Sequence, residues 1–287
     1  MPTLAEEQEY VKALYWGAYG SGKTTDAAYL AHSGVVKWIR ADKGLKARPL
    51  RQLGVPVERI EPIDELNPDV LARAVEKWRG QLHDTPGCIA GVVIDTATEL
   101  IARRVEHYTD QAWEAYKAKS RKQHTEIDHS QRFSSADNYE LYQPVTQEVG
   151  RLVRHIVDLP CHAAFLTQTR RDVDKDTGHT QYGPAANPAV QGALIGYCDI
   201  VIETQLDGQY EDGDEEDAFV GYPRPRFGRE GKDRFHALPR ILVTPTMDRV
   251  IAYVRGELDY KTDPVQLRYR ETLKIRQAQE KREADEL

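Results

Sequence analysis

Residues 17–25 read Gly-Ala-Tyr-Gly-Ser-Gly-Lys-Thr-Thr, a complete G-x-x-x-x-G-K-[ST] loop between an apolar stretch that reads as a strand, Lys12 to Trp16, and one that reads as a helix, Asp26 to Ala31. In this setting the pattern specifies a nucleotide-binding loop made of Gly17, Ala18, Tyr19, Gly20, Ser21, Gly22, Lys23, Thr24 and Thr25. Gly17, Gly20 and Gly22 permit backbone conformations and close approaches that a Cβ would block, so successive N–H groups turn toward phosphate oxygens. Lys23 supplies a point charge to the β- and γ-phosphates, and the Thr24 hydroxyl is a ligand for Mg²⁺. The helix that follows offers its positive N-terminus to the same anion.

The rest of the composition sets limits. With 287 residues and 40% hydrophobic content the chain has enough material for one α/β core with insertions. A net charge of −7 excludes a protein that coats nucleic acid over its whole surface, so any such contact must be regional. Cys88, Cys161 and Cys198 are odd in number and imply no disulfide framework. Cys161-His162 reads as a strand start, and no histidine and cysteine pair has zinc spacing. Met1 to Tyr10 carries three glutamates and no apolar leader, and no run approaches a membrane span. A cytoplasmic protein without a membrane partner is expected.

Downstream, Val35 to Arg40 reads as a second strand ending at Ala41-Asp42-Lys43-Gly44. Asn67-Pro68 opens a helix with Val70, Leu71, Ala74, Val75 and Trp78 on one face. Cys88 to Asp95 is a continuous apolar run ending in a carboxylate, the expected form of a parallel strand buried on both faces. From Leu100 the chain turns polar, and residues 101–142 read as a helical insertion. A helix from Val145 to Leu159 precedes a third apolar strand, His162 to Gln168, and then a polar loop to Gly192. Tyr197 to Thr204 reads as a strand, and residues 207–217, with seven carboxylates and two glycines, as an exposed acidic turn. Ile241 to Val243 and Val250 to Val254 read as antiparallel strands at the sheet edge, and Pro264 to Leu287 as a helical tail. Alternating strands and helices make a mostly parallel, doubly wound α/β sheet the expected fold. The division expected is an ATPase domain over 1–260 and a C-terminal helical tail over 261–287.

In open α/β sheets ligands lie at the carboxyl ends of strands, where Lys23, Asp42, Asp95 and Gln168 fall. Asp95 suits the Mg²⁺ shell, through water, or else caps its strand. Thr96 follows it rather than a second acid, so a water-orienting base must come from elsewhere: Asp42 first, Glu99 second. Asp42 also fits a turn before Gly44. The Gln168 amide suits contact with both γ-phosphate and a mobile loop, or else simply ends a strand.

GAYGSGKTT, the strand-end Asp42, VVIDTATEL (Val92 to Leu100) and AAFLTQTR (Ala163 to Arg170) occur in the order of a RecA-like ATPase core. Over about residues 10–255 the chain resembles the phage-encoded, single-domain ATP-binding proteins related to RecA recombinases and associated with single-strand annealing. The resemblance implies a RecA-like P-loop fold with the Gln168 strand between the phosphate-loop strand and the Asp95 strand. It implies ATP and Mg²⁺ as cofactors, ATP-dependent assembly on single-stranded DNA, a homo-oligomer, a single-strand binding or replication protein as partner, and the host cytoplasm as location. By position Asp42 matches the family's water-activating acid, which is usually the longer Glu, and Gln168 the residue that senses the γ-phosphate. Residues 169–191 take the place of one DNA-binding loop and 101–142 that of another. Gly231-Lys232-Asp233-Arg234 resembles a late basic element, making Arg234 a candidate to reach a nucleotide of its own or a neighbouring subunit. RecA proteins carry an N-terminal polymerisation segment, whereas residues 1–11 alone precede the first strand here, so filament formation is not expected.

For nucleic acid the candidates are Lys117, Lys119, Arg121 and Lys122, and Arg170-Arg171 after the sensor position, near aromatics such as Tyr116, Phe133 and Tyr139. From Arg103 to Arg132 seven cations face five acids, a balance that a solvated helix would also show; from Arg224 to Arg240 six face two. Two other functions share the first motif. One is a nucleotide-dependent switch with little hydrolysis, and the other a small-molecule phosphotransferase, against which stands the lack of an Arg-rich lid.

Overall fold

The computed structural model describes residues 9–123, 125–128, 139–174, 177–207 and 218–286. The strands are β1 (Lys12–Gly17), β2 (Val36–Arg40), β3 (Ile60–Ile63), β4 (Gly91–Asp95), β5 (His162–Val173), β6 (Thr180–Pro184), β7 (Ile200–Asp207), β8 (Ala218–Tyr222), β9 (Lys232–Asp233) and β10 (Leu242–Val243). They form one sheet in the order β10-β8-β7-β1-β5-β4-β2-β3, with β6 on β5 and β9 on β7. From β7 to β3 the strands are parallel; β6, β8, β9 and β10 are antiparallel additions. The strand carrying Gln168 lies between the phosphate-loop strand and the Asp95 strand, as the RecA-like pattern implies.

Alternation along β1 shows why the central parallel strands are largely apolar. Leu14 and Trp16 enter one core layer with Ile39, Val92, Ile94 and Phe165. Ala13 and Tyr15 enter the other with Trp38, Val93, Ala164 and Leu166. Helices cover both faces of the central strands β1 and β4, whose every position is buried, so a polar side chain there must find a partner. The first layer takes α3 (Pro68–Asp84), α4 (Ala97–Lys122), α5 (Tyr139–Val157) and α6 (Pro188–Tyr197), and the second takes α1 (Lys23–Ala28) and α7 (Met247–Val254). α2 (Ala47–Gln52) precedes β3, and α8 (Pro264–Glu286) packs on β10.

Local chemistry sets the helix starts. Asn67 Oδ1 accepts the Asp69 amide at 2.9 Å ahead of Pro68, and Asn187 Oδ1 accepts the Val190 amide at 2.9 Å ahead of Pro188. Thr96 Oγ1 accepts the Glu99 amide at 3.1 Å and opens α4 directly after β4.

Several expectations are corrected. Val250 to Val254 is the end of helix α7, whose Met247, Val250 and Ile251 bury one face at helical spacing. Much of 169–191 is regular rather than a loop: β5 runs on to Val173 and pairs with β6, from Thr169↔Pro184 to Val173↔Thr180, and a helix begins at Pro188. That hairpin has little buried face and hence no hydrophobic signature. α6 then occupies Tyr197, and the strand that follows starts at Ile200. The segment from 101 begins inside the core, where Ile101, Arg104 and Trp113 are buried along one continuous helix. Residues 208–217, most of the expected acidic turn, and Phe133 lie outside the described residues. α8 places Gln266 and Tyr269 in buried positions, Tyr269 against Val220 and Val243.

At the amino end of β5, His162 is buried; its Nδ1 accepts the Val11 amide at 3.0 Å and its Nε2 lies 3.4 Å from the Arg255 guanidinium, so donors face both ring nitrogens and disfavour a protonated ring. Burial first, with the Arg255 and Lys12 charges adding, pushes its pKa down from 6.5 to about 4. The folded state therefore resists protonation that the unfolded chain accepts, and stability present above pH 6.5 is lost as pH falls toward 4. The expected loss is about 3 kcal/mol. Denaturant unfolding from pH 7.5 to 4 measures it, and His162→Gln is expected to flatten that part of the profile.

Candidate nucleotide site

Register brings the site together. Gly17 pairs with Gln168 on one side and Thr204 on the other, while Arg40 pairs with Asp95 on the neighbouring strands. The ends of β1, β5 and β7 thus sit level, and those of β2 and β4 stop two residues short of them, since Ile94 pairs with Phe165 and Phe165 with Leu14. The amides of Ala41 and Asp42 both donate to the Asp95 carbonyl, at 2.7 and 3.2 Å, so the turn after β2 is fastened to the end of β4.

The loop itself is shaped by its glycines. Gly20 and Gly22 have φ of 77° and 87°, where a side chain is strained. A Cβ on Gly17 would meet the Thr204 carbonyl at 2.4 Å, and one on Gly22 the Phe219 ring at 2.8 Å. Ser21 Oγ lies 2.8 Å from Thr204 Oγ1, pinning the loop to β7. Loop residues from Tyr19 to Thr25, with Asp42, Gly44, Thr96, Gln168 and Phe219, line a cavity of about 320 Å³.

Lys23 is nearly buried. Its Nζ donates to the carbonyls of Gly17 (3.0 Å) and Ala18 (2.7 Å) and to Gln168 Oε1 (3.4 Å). Burial pulls its pKa down from 10.5 to about 8 against the carboxylates of Asp95, Asp42 and Asp26. Asp95 is fully buried and accepts the Thr24 hydroxyl at 3.1 Å. Burial, reinforced by the Asp42 charge, raises its pKa to about 7 against the pull of the Thr24 hydrogen bond. A bound cation would hold Asp95 as the carboxylate. The Thr24 hydroxyl and Asp95 carboxylate are hard oxygen donors and suit Mg²⁺, and the glycine-shaped cradle suits phosphate.

Placement divides the candidate residues. Lys23, Thr24, Asp42 and Gln168 line the cavity, and Asp95, fully buried, sits behind Thr24 through its hydrogen bond. Glu99 is not on its lining; its Oε1 accepts Arg103 Nε at 2.9 Å. Arg234 is placed elsewhere: its neighbour Asp233 pairs with Ile200 at the amino end of β7, and its guanidinium meets Asp199 Oδ1 at 3.1 Å. It therefore cannot reach the phosphate loop of its own chain. Lys117, Lys119, Arg121 and Lys122 lie about 30 Å along α4 from its start, and Lys117 is paired with Glu114 at 2.5 Å. Arg170 bonds Asp172 and the Ala186 carbonyl, and Arg171 stands exposed on the hairpin.

Sequence reading missed three contributors. Thr98 Oγ1 donates to the Ala185 carbonyl at 2.9 Å and accepts the Gln168 amide at 3.0 Å, joining the start of α4 to both hairpin strands. Its position in VVIDTATEL carried no signal beyond helix capping. Phe219, from the antiparallel strand β8, closes the cavity beside Gly22. Asp26, buried under the loop, is raised well above the carboxylate range by burial, with Asp248 adding and Lys23 opposing.

Residues 9–235 match the family model described as an AAA domain. The chain belongs to the AAA domain family. The crystal structure of the RadB recombinase is similar over 77% of this chain and 84% of that one, at 14% identity and a TM-score of 0.43. No curated protein matches the sequence. This AAA domain is a nucleotide-binding P-loop domain built on a mostly parallel α/β sheet. Among the described residues no helix is long and apolar enough to cross a membrane.

Gly22→Ala is expected to destabilise the domain by about 1–2 kcal/mol from the left-handed φ alone and to weaken ATP binding sharply by displacing Phe219. Thermal unfolding and nucleotide titration check the two effects separately.

Proposed function

We propose that the chain is a Mg²⁺-dependent, ATP-hydrolysing RecA-like protein of phage origin that acts as a homo-oligomer on single-stranded DNA in recombination, annealing or replication. The observation that carries this reading is the convergence of Lys23, Thr24, Asp42 and Gln168 on one cavity, with Asp95 bonded to Thr24 behind it and β5 continuing through Gln168 into a projecting hairpin. Lys23 exchanges the loop carbonyls for β- and γ-phosphate oxygens, and the loop amides hold the same oxygens. Mg²⁺, when bound, neutralises charge developing on the phosphates. Thr24 and Asp95 would hold it. Asp42 orients the attacking water, and Gln168 contacts the γ-phosphate side of the cavity. Because the Gln168 amide and carbonyl are bonded to Thr98 and Ala185, the hairpin cannot shift without disturbing the sensor. In this reading Arg234 serves a neighbour's site, and Lys117, Lys119, Arg121, Lys122, Arg170 and Arg171 are candidate phosphate contacts.

A second reading, a nucleotide switch with little turnover, draws on one observation: Asp42 Oδ1 already accepts the Gly44 amide at 2.7 Å, the geometry of a turn-former. Purified protein is expected to hydrolyse ATP, with turnover raised by single-stranded DNA. Lys23→Ala is expected to lower turnover by about 100-fold or more; unchanged turnover would remove the site assignment. In a steady-state assay Asp42→Asn separates the readings, since a water-orienting base predicts a loss of about 100-fold and a turn-former almost none. ATP binding without turnover, with or without DNA, would select the switch.

A further inference from the structure

Residues 224–231 form a small loop that is tightly built yet exposes an aromatic ring completely. Arg226 and Arg229 exchange backbone hydrogen bonds at 3.2 and 2.8 Å, and between them Phe227 and Gly228 have φ of 33° and 71°. Two positive φ values mark the tight hairpin turn for which Asn-Gly is the unstrained choice. Here phenylalanine stands in the asparagine position, and it is 103% exposed. The strain therefore gains no burial for the fold.

The surroundings hold this turn in place. Arg226 and Arg229 both pair with the buried Glu203, Arg226 lies 3.2 Å above the Tyr222 ring, and Arg229 lies 4.3 Å above the Tyr182 ring. The Tyr182 amide donates to the Gly228 carbonyl at 2.7 Å, and a Cβ on Gly228 would meet the Thr180 carbonyl at 2.8 Å. Tyr182 in turn pairs with Arg171 across β5 and β6. Arg171, Tyr182 and Arg229 thus form a row across the distal part of β5, three residues past Gln168.

We infer that Phe227 is a base-stacking contact for single-stranded DNA, with Arg171 and Arg229 beside it as phosphate contacts. This rests on the DNA reading above and names the surface that performs it. An exposed ring flanked by cations is the combination that binds an unpaired strand without reading its sequence. The strand binds outside the nucleotide cavity, along the hairpin tied to Gln168.

The test is binding of the full-length protein to a fluorescent oligothymidylate with a non-hydrolysable ATP analogue, alongside solution mass and basal ATP turnover. Phe227→Ala is expected to weaken DNA binding by about 10-fold or more and to leave basal turnover unchanged. Phe227→Asn relieves the turn, so it is expected to raise the melting temperature while still losing affinity, which separates a contact role from misfolding. Phe227→Trp is expected to retain binding and show fluorescence quenching by the oligonucleotide. Wild-type affinity in Phe227→Ala overturns the inference and leaves the DNA reading standing. Loss of assembly with DNA binding retained reassigns Phe227 to a contact between copies and also overturns it. If the wild-type protein binds no DNA, the functional reading fails as well.

Discussion

The parallel pairing of β1 with β5 and β7 is the constraint on which everything else hangs. It fixes Gly17 beside Gln168 and Thr204, so the phosphate loop emerges between a sensor strand and an anchoring strand. Each further element serves that alignment. β4 brings Asp95 to the same level as the end of β2, and two amides of the turn after β2 bind its carbonyl. Helices on both faces exclude water from the strands, and this dryness lowers the Lys23 pKa and raises that of Asp95. The electrostatics of the site follow from how deeply the sheet is buried.

Lys23 at about 8 stays largely the ammonium at neutral pH but holds its proton less firmly than a free lysine, whereas Asp95 at about 7 is divided between acid and carboxylate. Phosphate favours the ammonium form and a divalent ion the carboxylate, so the two ligands reinforce one another through the protein. The Lys23 contacts with the Gly17 and Ala18 carbonyls are the interactions given up in exchange.

Much of this was legible in the residues because the features are local or strongly patterned. GAYGSGKTT needs a strand before it and a helix after it, and the apolar run to Asp95 can only be a doubly covered strand. What escaped depends on partners far along the chain. The β5–β6 hairpin is polar on both sides, so backbone pairing alone defines it. Val250 to Val254 offered five residues, too few to tell period 2 from period 3.6 until Met247 is seen on the same face. Thr98 and Phe219 acquire their roles from contacts with Ala185, Gln168 and Gly22, which no spacing encodes. The position of Arg234 followed from β9 joining β7 at its amino end, a choice invisible in a two-residue strand.

The two flanks of the sheet carry a different lesson. β3 is four residues long and includes Pro62, which has no N–H to offer, and its charged neighbours Glu61 and Asp64 are tied back to Lys37 and Arg40 on the inner strand. At the opposite flank β10 has two residues and lies under α8. Neither border presents a long row of free amides and carbonyls for another strand to extend. A ten-stranded sheet would otherwise be a template for uncontrolled growth, and here the edges are finished against strand addition.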